Sequence, residues 1–508
     1  MVTTPITNLS KWDQKIKVTA AEEYESFRNV LDWTEGFGLV FVQCYPVQGG
    51  ELIEQIKRDL PNKQVEILRF QEREEIRNLY DLVEHLPNRE QIDILFIQGL
   101  ENSFVPYIKS GYGGQGDYYK LDNLPPILGH LNLQRERFKR DFEICFVFLL
   151  PFFGVKYFIQ RAPDFFDWRL GLFSVPGKKN LIELETDRLI GDADYDQYCQ
   201  WNFSQRMTRI LEIETLLNED LEPEDKSSLL LEQGNLWVAS SAYQEAISSY
   251  DNALKLKPDG PKAWNNRGIA LDYLGRYEEA ISSYDQALEI KPDYHQAWNN
   301  RGIALRNLGR LEEAITSYDE ALKSKPNEQE AWYNRGNALD YLGRYEEALK
   351  SYEEALKSYN DGLNIKEYQN ILFDKATVLG KLNRLEEANQ LFGKVLKFNP
   401  QDPDVWYNKG KALKMLKKYE EALLSYDHVL EITPNDYAAI YHKATLYSFQ
   451  KNTTLAIEYL KQAIELKPEL LKLAKTDTDF DKIRNDSRFI NLLNAELPQH
   501  PKDSKPLV

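Results

Sequence analysis

Apolar and small residues recur at a fixed interval through the second half of the chain. Pro258, Pro292 and Pro326 stand 34 residues apart. A period of this length is typical of a helix–turn–helix unit repeated along a stacked array. The residues that keep this period are Trp264, Gly268, Leu271, Ala280, Tyr284 and Ala287, then Trp298, Gly302, Leu305, Ala314, Tyr318 and Ala321, then Trp332, Gly336, Leu339, Ala348, Tyr352 and Ala355, and farther on Pro400, Pro434 and Pro468.

Each recurring residue has a physical role in such a unit. Trp264 and Leu271 are seven residues apart, so they share one face of the first helix. Gly268 and Ala280 are small, which lets two helices cross closely. Gly275 is expected to end the first helix by taking a left-handed conformation. The pattern therefore predicts helix pairs that bury their apolar faces by stacking on neighbouring pairs.

The spacing of Trp, Gly, Leu, Ala, Tyr and Pro in these units resembles the tetratricopeptide repeat family. The resemblance implies an all-α superhelical solenoid of seven repeats, the first with Leu230 in place of Trp. The interval from Pro326 to Pro400 exceeds two periods, which predicts a six-residue insertion near residues 358–365. The expected segments are a helical linker over 181–226, the repeats over 227–468, and a capping helix and tail over 469–508.

Residues 1–180 follow a different pattern. Short apolar runs rich in β-branched and aromatic residues alternate with helical stretches, and the runs are apolar on both faces. This alternation predicts an α/β domain with a parallel sheet covered by helices. The predicted strands are 39–44, 64–70, 92–97, 144–150 and 171–175, and the predicted helices are 51–59, 72–84, 127–139 and 154–161.

The strand–loop–helix order at the start of this domain resembles that of P-loop nucleotide-binding proteins. Gly49 and Gly50 stand where the phosphate-binding glycines would stand, but Glu51 replaces the lysine and Leu52 the serine or threonine. A carboxylate repels a triphosphate and a leucine binds no Mg²⁺. Glu101 is the one acidic residue near the end of the third strand where a metal ligand is expected. We therefore interpret the loop as degenerate and the domain as non-hydrolysing.

The N-terminal segment as a whole resembles domains that precede repeats in bacterial, especially cyanobacterial, tetratricopeptide repeat proteins and that look related to AAA-like signalling NTPases. The resemblance leaves two alternatives open. One is a divergent nucleotide-dependent switch in which the repeats act as the sensor. The other is a doubly wound domain unrelated to P-loop proteins.

Composition excludes several classes of function. The net charge of −17 argues against a nucleic-acid backbone as the main partner. No apolar run is long enough for a transmembrane helix, and the first residues lack a secretory signal. Cys44, Cys145 and Cys199 are widely spaced and the histidines lack ligand spacing, so we expect free thiols, no metal, no cofactor and a cytoplasmic location.

The first helices of the repeats are expected to line a concave groove. An Asn stands two residues after each Trp, and an amide can both donate to and accept from a bound peptide backbone. The alternative is that these amides satisfy neighbouring helices. Lysines in the C-terminal half of the groove suggest a basic surface that suits an acidic segment or the terminal carboxylate of a chain. The alternative is that these lysines form a solvated face without a ligand. The candidate peptide-binding residues are Asn266, Asn300, Asn334, Asn408, Tyr333, Tyr407, Arg306, Lys411 and Lys414.

No Ser/His/Asp, Cys/His or metal-ligand constellation stands out, so the sequence does not predict an enzyme. We expect a protein-interaction scaffold or adaptor that binds a peptide or protein segment in the groove. The oligomeric state and the partner are left open by the sequence.

Overall fold

The computed structural model describes residues 19–70, 76, 78–107, 125–175, 179–191, 195–358 and 365–494. The chain divides into two compact units, Met1–Ile290 and Lys291–Val508. Residues 359–364 of the predicted insertion lie outside the described part. The domain boundaries proposed from the sequence remain predictions.

A five-stranded parallel sheet forms the core of the first unit, as predicted. Its strand order is β2-β3-β4-β1-β5, so β1 lies between β4 and β5. β1, β3 and β4 are almost completely buried because helices cover both faces of the sheet. The strands are β1 (Gly38–Gln43), β2 (Val65–Arg69), β3 (Ile94–Gln98), β4 (Cys145–Leu150) and β5 (Gly171–Ser174).

Aromatic side chains fill one face of this sheet. The rings of Phe41 and Phe148 stack at 5.0 Å, and Phe158 and Phe166 pack on Phe41. The helix before β1, which the strand pattern did not predict, begins with a capping box at Thr19. The helices of this part are α1 (Ala20–Trp33), α2 (Pro46–Asp59), α3 (Leu79–Glu84), α4 (Pro126–Asp141), α5 (Phe152–Arg161) and α6 (Pro163–Phe166), with short 3₁₀ turns at Arg89–Gln91, Leu100–Ser103 and Val105–Tyr107.

Seven further helices complete the described part of the first unit. Three of them contact α10, the first helix of the first pair, and the second helix of that pair packs on the next pair. The helices are α7 (Lys179–Gly191), α8 (Tyr195–Gln200) and α9 (Phe203–Leu217), followed by the pairs α10 (Pro223–Ala239) with α11 (Tyr243–Leu256) and α12 (Pro261–Tyr273) with α13 (Tyr277–Ile290).

The second unit consists of five consecutive helix pairs and a terminal segment, as far as its residues are described. Each pair packs on the next, which confirms the predicted stacking within this unit. The pairs are α14 (His295–Asn307) with α15 (Leu311–Ser324), α16 (Gln329–Tyr341) with α17 (Tyr345–Lys357), α18 (Ile365–Lys381) with α19 (Leu385–Phe398), α20 (Pro403–Met415) with α21 (Tyr419–Ile432) and α22 (Tyr437–Phe449) with α23 (Thr453–Leu466), followed by α24 (Leu470–Thr476), the 3₁₀ turn Thr478–Phe480 and α25 (Ser487–Asn494).

The repeated glycine and tyrosine contact each other in the five helix pairs that carry both residues. A Cβ atom on Gly302 would lie 2.4 Å from Cε1 of Tyr318, whose side chain is fully buried. The same close approach joins Gly268 to Tyr284. Gly275 has φ +72° at the end of α12, in agreement with its predicted helix-ending role.

Candidate functional site

A cavity of about 620 Å³ opens among three consecutive repeats of the second unit. Arg306 and Asp340 occupy the same repeat position on α14 and α16. Asp374 on α18 occupies the position two residues after the repeat Trp, which we call the asparagine column because other repeats carry Asn266, Asn300, Asn334 and Asn408 there. First helices of successive repeats face the same side, so residues that share a repeat position meet there. The lining residues are Arg306, Asn307, Gly309, Leu311, Asn337, Asp340, Tyr341, Tyr352 and Asp374.

Asp340 is neutralised within the chain. Lys381 Nζ donates to Asp340 Oδ1 at 2.7 Å and to Oδ2 at 2.8 Å, and it lies 5.4 Å from the centre of the Tyr345 ring. An ammonium held by a carboxylate beside an aromatic ring is favourably placed by charge and by the ring quadrupole.

Asp374 is a second carboxyl group in the cavity. Tyr333 donates its hydroxyl hydrogen to Asp374 Oδ2 at 2.7 Å. Burial raises the pKa of the Asp374 carboxyl, the Tyr333 hydrogen bond lowers it, and the negative charge of Asp340 raises it further. The candidate residue Tyr333 is therefore connected to the cavity through its hydrogen bond to Asp374, which lines it.

Arg306 is the cation of the cavity that lacks a carboxylate partner. Its Nη1 donates to Asn334 Oδ1 over 3.4 Å, and it makes no ion pair with any residue that the structure describes. A guanidinium carries five donors in a planar fork that matches a carboxylate. Because Lys381 already neutralises Asp340, Arg306 leaves the cavity suited to a negative group.

The asparagine column is hydrogen bonded inside the chain. Asn334 is buried, and its Nδ2 donates to Asn299 Oδ1 at 3.2 Å. Asn266 donates to Asn235 Oδ1 at 2.9 Å, and Asn408 donates to the Asp404 carbonyl of its own helix at 2.9 Å. Asn300 is partly buried on α14. At three of these four positions the amide thus supports neighbouring groups.

The predicted basic half of the groove is largely neutralised by the chain itself. Lys414 is ion-paired with Asp479 in the terminal segment, and Lys381 is paired with Asp340. Lys411 is exposed and makes no ion pair within the described residues. Tyr407 is hydrogen bonded at 2.9 Å to Nε2 of His442. Of these three lysines, only Lys411 keeps a charge that is not already matched.

A helix of the same chain contacts the first position of the asparagine column. Glu232 stands two residues after Leu230, where the following repeats carry asparagine. The buried Tyr198 of α8 donates to Glu232 Oε2 at 2.8 Å. Sequence analysis missed this contact, although the repeat register places Glu232 in the column.

The predicted phosphate loop is helical. β1 ends at Gln43 and α2 begins at Pro46, so Gly49, Gly50 and Glu51 lie in α2 and not in a loop. A Cβ on Gly49 would lie 3.1 Å from Gln98 Nε2 and from Leu149 Cδ1, which accounts for a glycine there by packing.

Glu101 is buried in the 3₁₀ turn that follows β3, and burial raises the pKa of its carboxyl to about 7. In the described residues no group of three His, Cys, Asp or Glu side chains could hold a metal ion. No described helix is both long and apolar enough to cross a membrane.

Family models for the tetratricopeptide repeat match residues 231–295, 267–329 and 299–362, and further matches cover 403–436 and 437–470. The chain contains tetratricopeptide repeats. The helix pairs α10–α11 to α16–α17, α20–α21 and α22–α23 overlap these matches, and α18–α19 is a further helix pair between them.

Solved tetratricopeptide repeat structures resemble parts of the chain. YrrB, described as a TPR protein with an unusual peptide-binding site, is 26% identical, with a TM-score of 0.34, and the match covers 38% of this chain and 98% of that one. Pseudomonas aeruginosa pilF is 21% identical, with a TM-score of 0.36, and the match covers 44% of this chain and 96% of that one. The first TPR of Spaghetti (RPAP3), bound to an HSP90 peptide, is 30% identical, with a TM-score of 0.23, and the match covers 24% of this chain and 95% of that one. Comparison with curated proteins finds no match.

Proposed function

We propose that the chain is a protein-interaction scaffold that binds a peptide segment of a partner in the cavity lined by α14, α16 and α18. The observation that carries the proposal is Arg306, a guanidinium without an ion-pair partner in the described structure, at the edge of a cavity of about 620 Å³. Pockets of ~300–1,000 Å³ accommodate ligands of the size of several side chains.

The rest of the lining fits a peptide with a carboxylate. Tyr341 leaves 77% of its surface exposed and offers an aromatic face. Asn337 supplies an amide beside it, and Asp374 holds its proton to a higher pH than an ordinary aspartate. We infer that a side-chain or terminal carboxylate of the partner pairs with Arg306, while Lys411 of the same unit contacts the rest of the segment.

This proposal is tested with a library of fluorescein-labelled heptapeptides, each made with a free and with an amidated C-terminus. We expect peptides with a carboxylate to bind best and Arg306→Gln to weaken that binding by about tenfold or more. Arg384→Gln is the matched control, because it removes the same charge from an exposed pair with Glu387 in the same unit. Equal loss in both variants, or no carboxylate preference, would contradict the proposal.

We propose further that the α/β domain is non-hydrolysing and derived from a P-loop ancestor. Two residues separate β1 from α2, which leaves little backbone to surround a phosphate, and Glu51 stands where a lysine is needed. Titration of the full chain with ATP and Mg²⁺ tests this. We expect no binding at millimolar ATP, whereas Mg²⁺-dependent micromolar binding would favour the nucleotide-dependent switch.

A further inference from the structure

Asp272 in the second repeat has the same repeat position as Asp340 in the fourth. Tyr284 donates its hydroxyl hydrogen to Asp272 Oδ2 at 2.6 Å, whereas Oδ1 is covered from solvent and has no hydrogen-bond partner in the described structure. A carboxylate oxygen left unpaired in a protein interior is costly, so an arriving donor gains more there than at the surface.

The fourth repeat shows which group suits this position. There the carboxylate of Asp340 holds the ammonium of Lys381 through both oxygens. In the sequence, the residue that matches Lys381 in the repeat after Asp272 is Asn307, which carries no charge. No lysine or arginine of the described chain forms an ion pair with Asp272. The aspartate at this repeat position is therefore paired with an ammonium group in the fourth repeat and is without such a partner, among the described residues, in the second.

Tyr273 follows Asp272 on α12 and stacks on a second tyrosine of the first unit. The rings of Tyr243 and Tyr273 stack at 4.7 Å with an interplanar angle of 8°, and Tyr273 is 61% exposed. Tyrosine faces attract cations.

We propose that Asp272, together with Tyr273 and Tyr243, is a receptor for the ammonium group of a lysine side chain carried by a protein partner. The proposal rests on the proposed scaffold function and adds a second, oppositely charged determinant to it. A partner that satisfies both sites carries a lysine as well as a carboxylate.

The test uses the full chain and a peptide array in which each lysine-containing peptide has a copy with Nε-acetyl-lysine and a copy with arginine. We expect wild-type signal to depend on unmodified lysine and Asp272→Asn to reduce that dependence by about tenfold. Asp251→Asn is the matched control, because it also removes one negative charge, here from an ion pair with Arg267 elsewhere in the unit. The asparagine in Asp272→Asn keeps an acceptor for Tyr284, so the variant is expected to fold.

A gain-of-site variant makes the test independent of any loss of folding. Lys381→Met removes the internal ammonium from Asp340, and we expect the lysine-dependent signal to increase because a second receptor opens.

An equal lysine dependence in Asp272→Asn and Asp251→Asn would overturn the lysine receptor. If carboxylate peptides still required Arg306, the scaffold proposal would stand without it. Free spermidine that abolished the lysine signal at the concentration of the peptide itself would overturn the assignment to a protein side chain.

Discussion

At the scale of single residues, the repeated positions have packing and hydrogen-bonding roles that the sequence defines only in part. The Trp264 indole donates to the carbonyl of Pro258 at 2.9 Å, and Trp298 donates to Pro292 at the same distance. Each Trp therefore fixes the turn that precedes its own helix. The small size of Gly268 was predicted from the helix crossing, but its partner, the buried Tyr284 ring, was not.

We expect Gly302→Ala to destabilise the second unit by about 1–3 kcal/mol, because a Cβ would lie 2.4 Å from the buried ring of Tyr318. Gly380→Ala is the control, since no atom lies within 4 Å of a Cβ there and alanine favours the helix by about 1 kcal/mol. Thermal unfolding followed by circular dichroism measures both. A melting temperature that Gly302→Ala leaves unchanged would contradict the close contact.

At the scale of elements, the sequence predicted the helix pairs and the strands well because their periods are strong local signals. All five strands lie within two residues of their predicted ends. The groove chemistry was predicted less well, because ion pairs such as that of Lys381 with Asp340 join residues 41 positions apart. Nothing in the local pattern shows that a lysine on one helix is neutralised by an aspartate on another.

The terminal segment illustrates such a long-range contact, and its role can be tested. Asp477 Oδ2 accepts a hydrogen bond from the Tyr441 hydroxyl at 2.7 Å, and its Oδ1 accepts from the Asp479 amide at 2.9 Å. We expect Asp477→Ala to cost about 1–3 kcal/mol in local stability and to raise hydrogen exchange in α24 and α25.

Asp481→Ala serves as the control, because Asp481 is exposed and pairs with Arg484 three residues away. A pair of this kind contributes about 0.5 kcal/mol or less. Similar exchange in the two variants would show that Asp477 does not anchor the segment.

At the scale of the whole molecule, buried titratable groups give the two units opposite responses to pH. In the first unit, burial raises the pKa of Glu101 and of Glu214 to about 7 from 4.5. Their stabilising effect is present below pH 4.5 and is lost as pH rises through 7. In the second unit, burial followed by the charges of Lys414 and Lys411 lowers the pKa of His442 to about 4 from 6.5. Its contribution is present above pH 6.5 and is lost as pH falls to 4.

The response of the first unit yields the sharpest test. At pH 8 the unfolded chain ionises Glu101 freely, whereas the folded chain must ionise it inside the sheet domain, so we expect Glu101→Gln to stabilise this domain by up to about 3 kcal/mol. At pH 5 the folded carboxyl already holds its proton, and the gain should fall to about 1 kcal/mol or less. Hydrogen exchange of β3 and β4 in urea, at both pH values, measures the difference. Glu66→Gln, at an exposed position of β2, removes the same charge and is the control. An equal gain at both pH values would mean that Glu101 acts through packing, and the opposed pH responses of the two units would then rest on Glu214 and His442 alone.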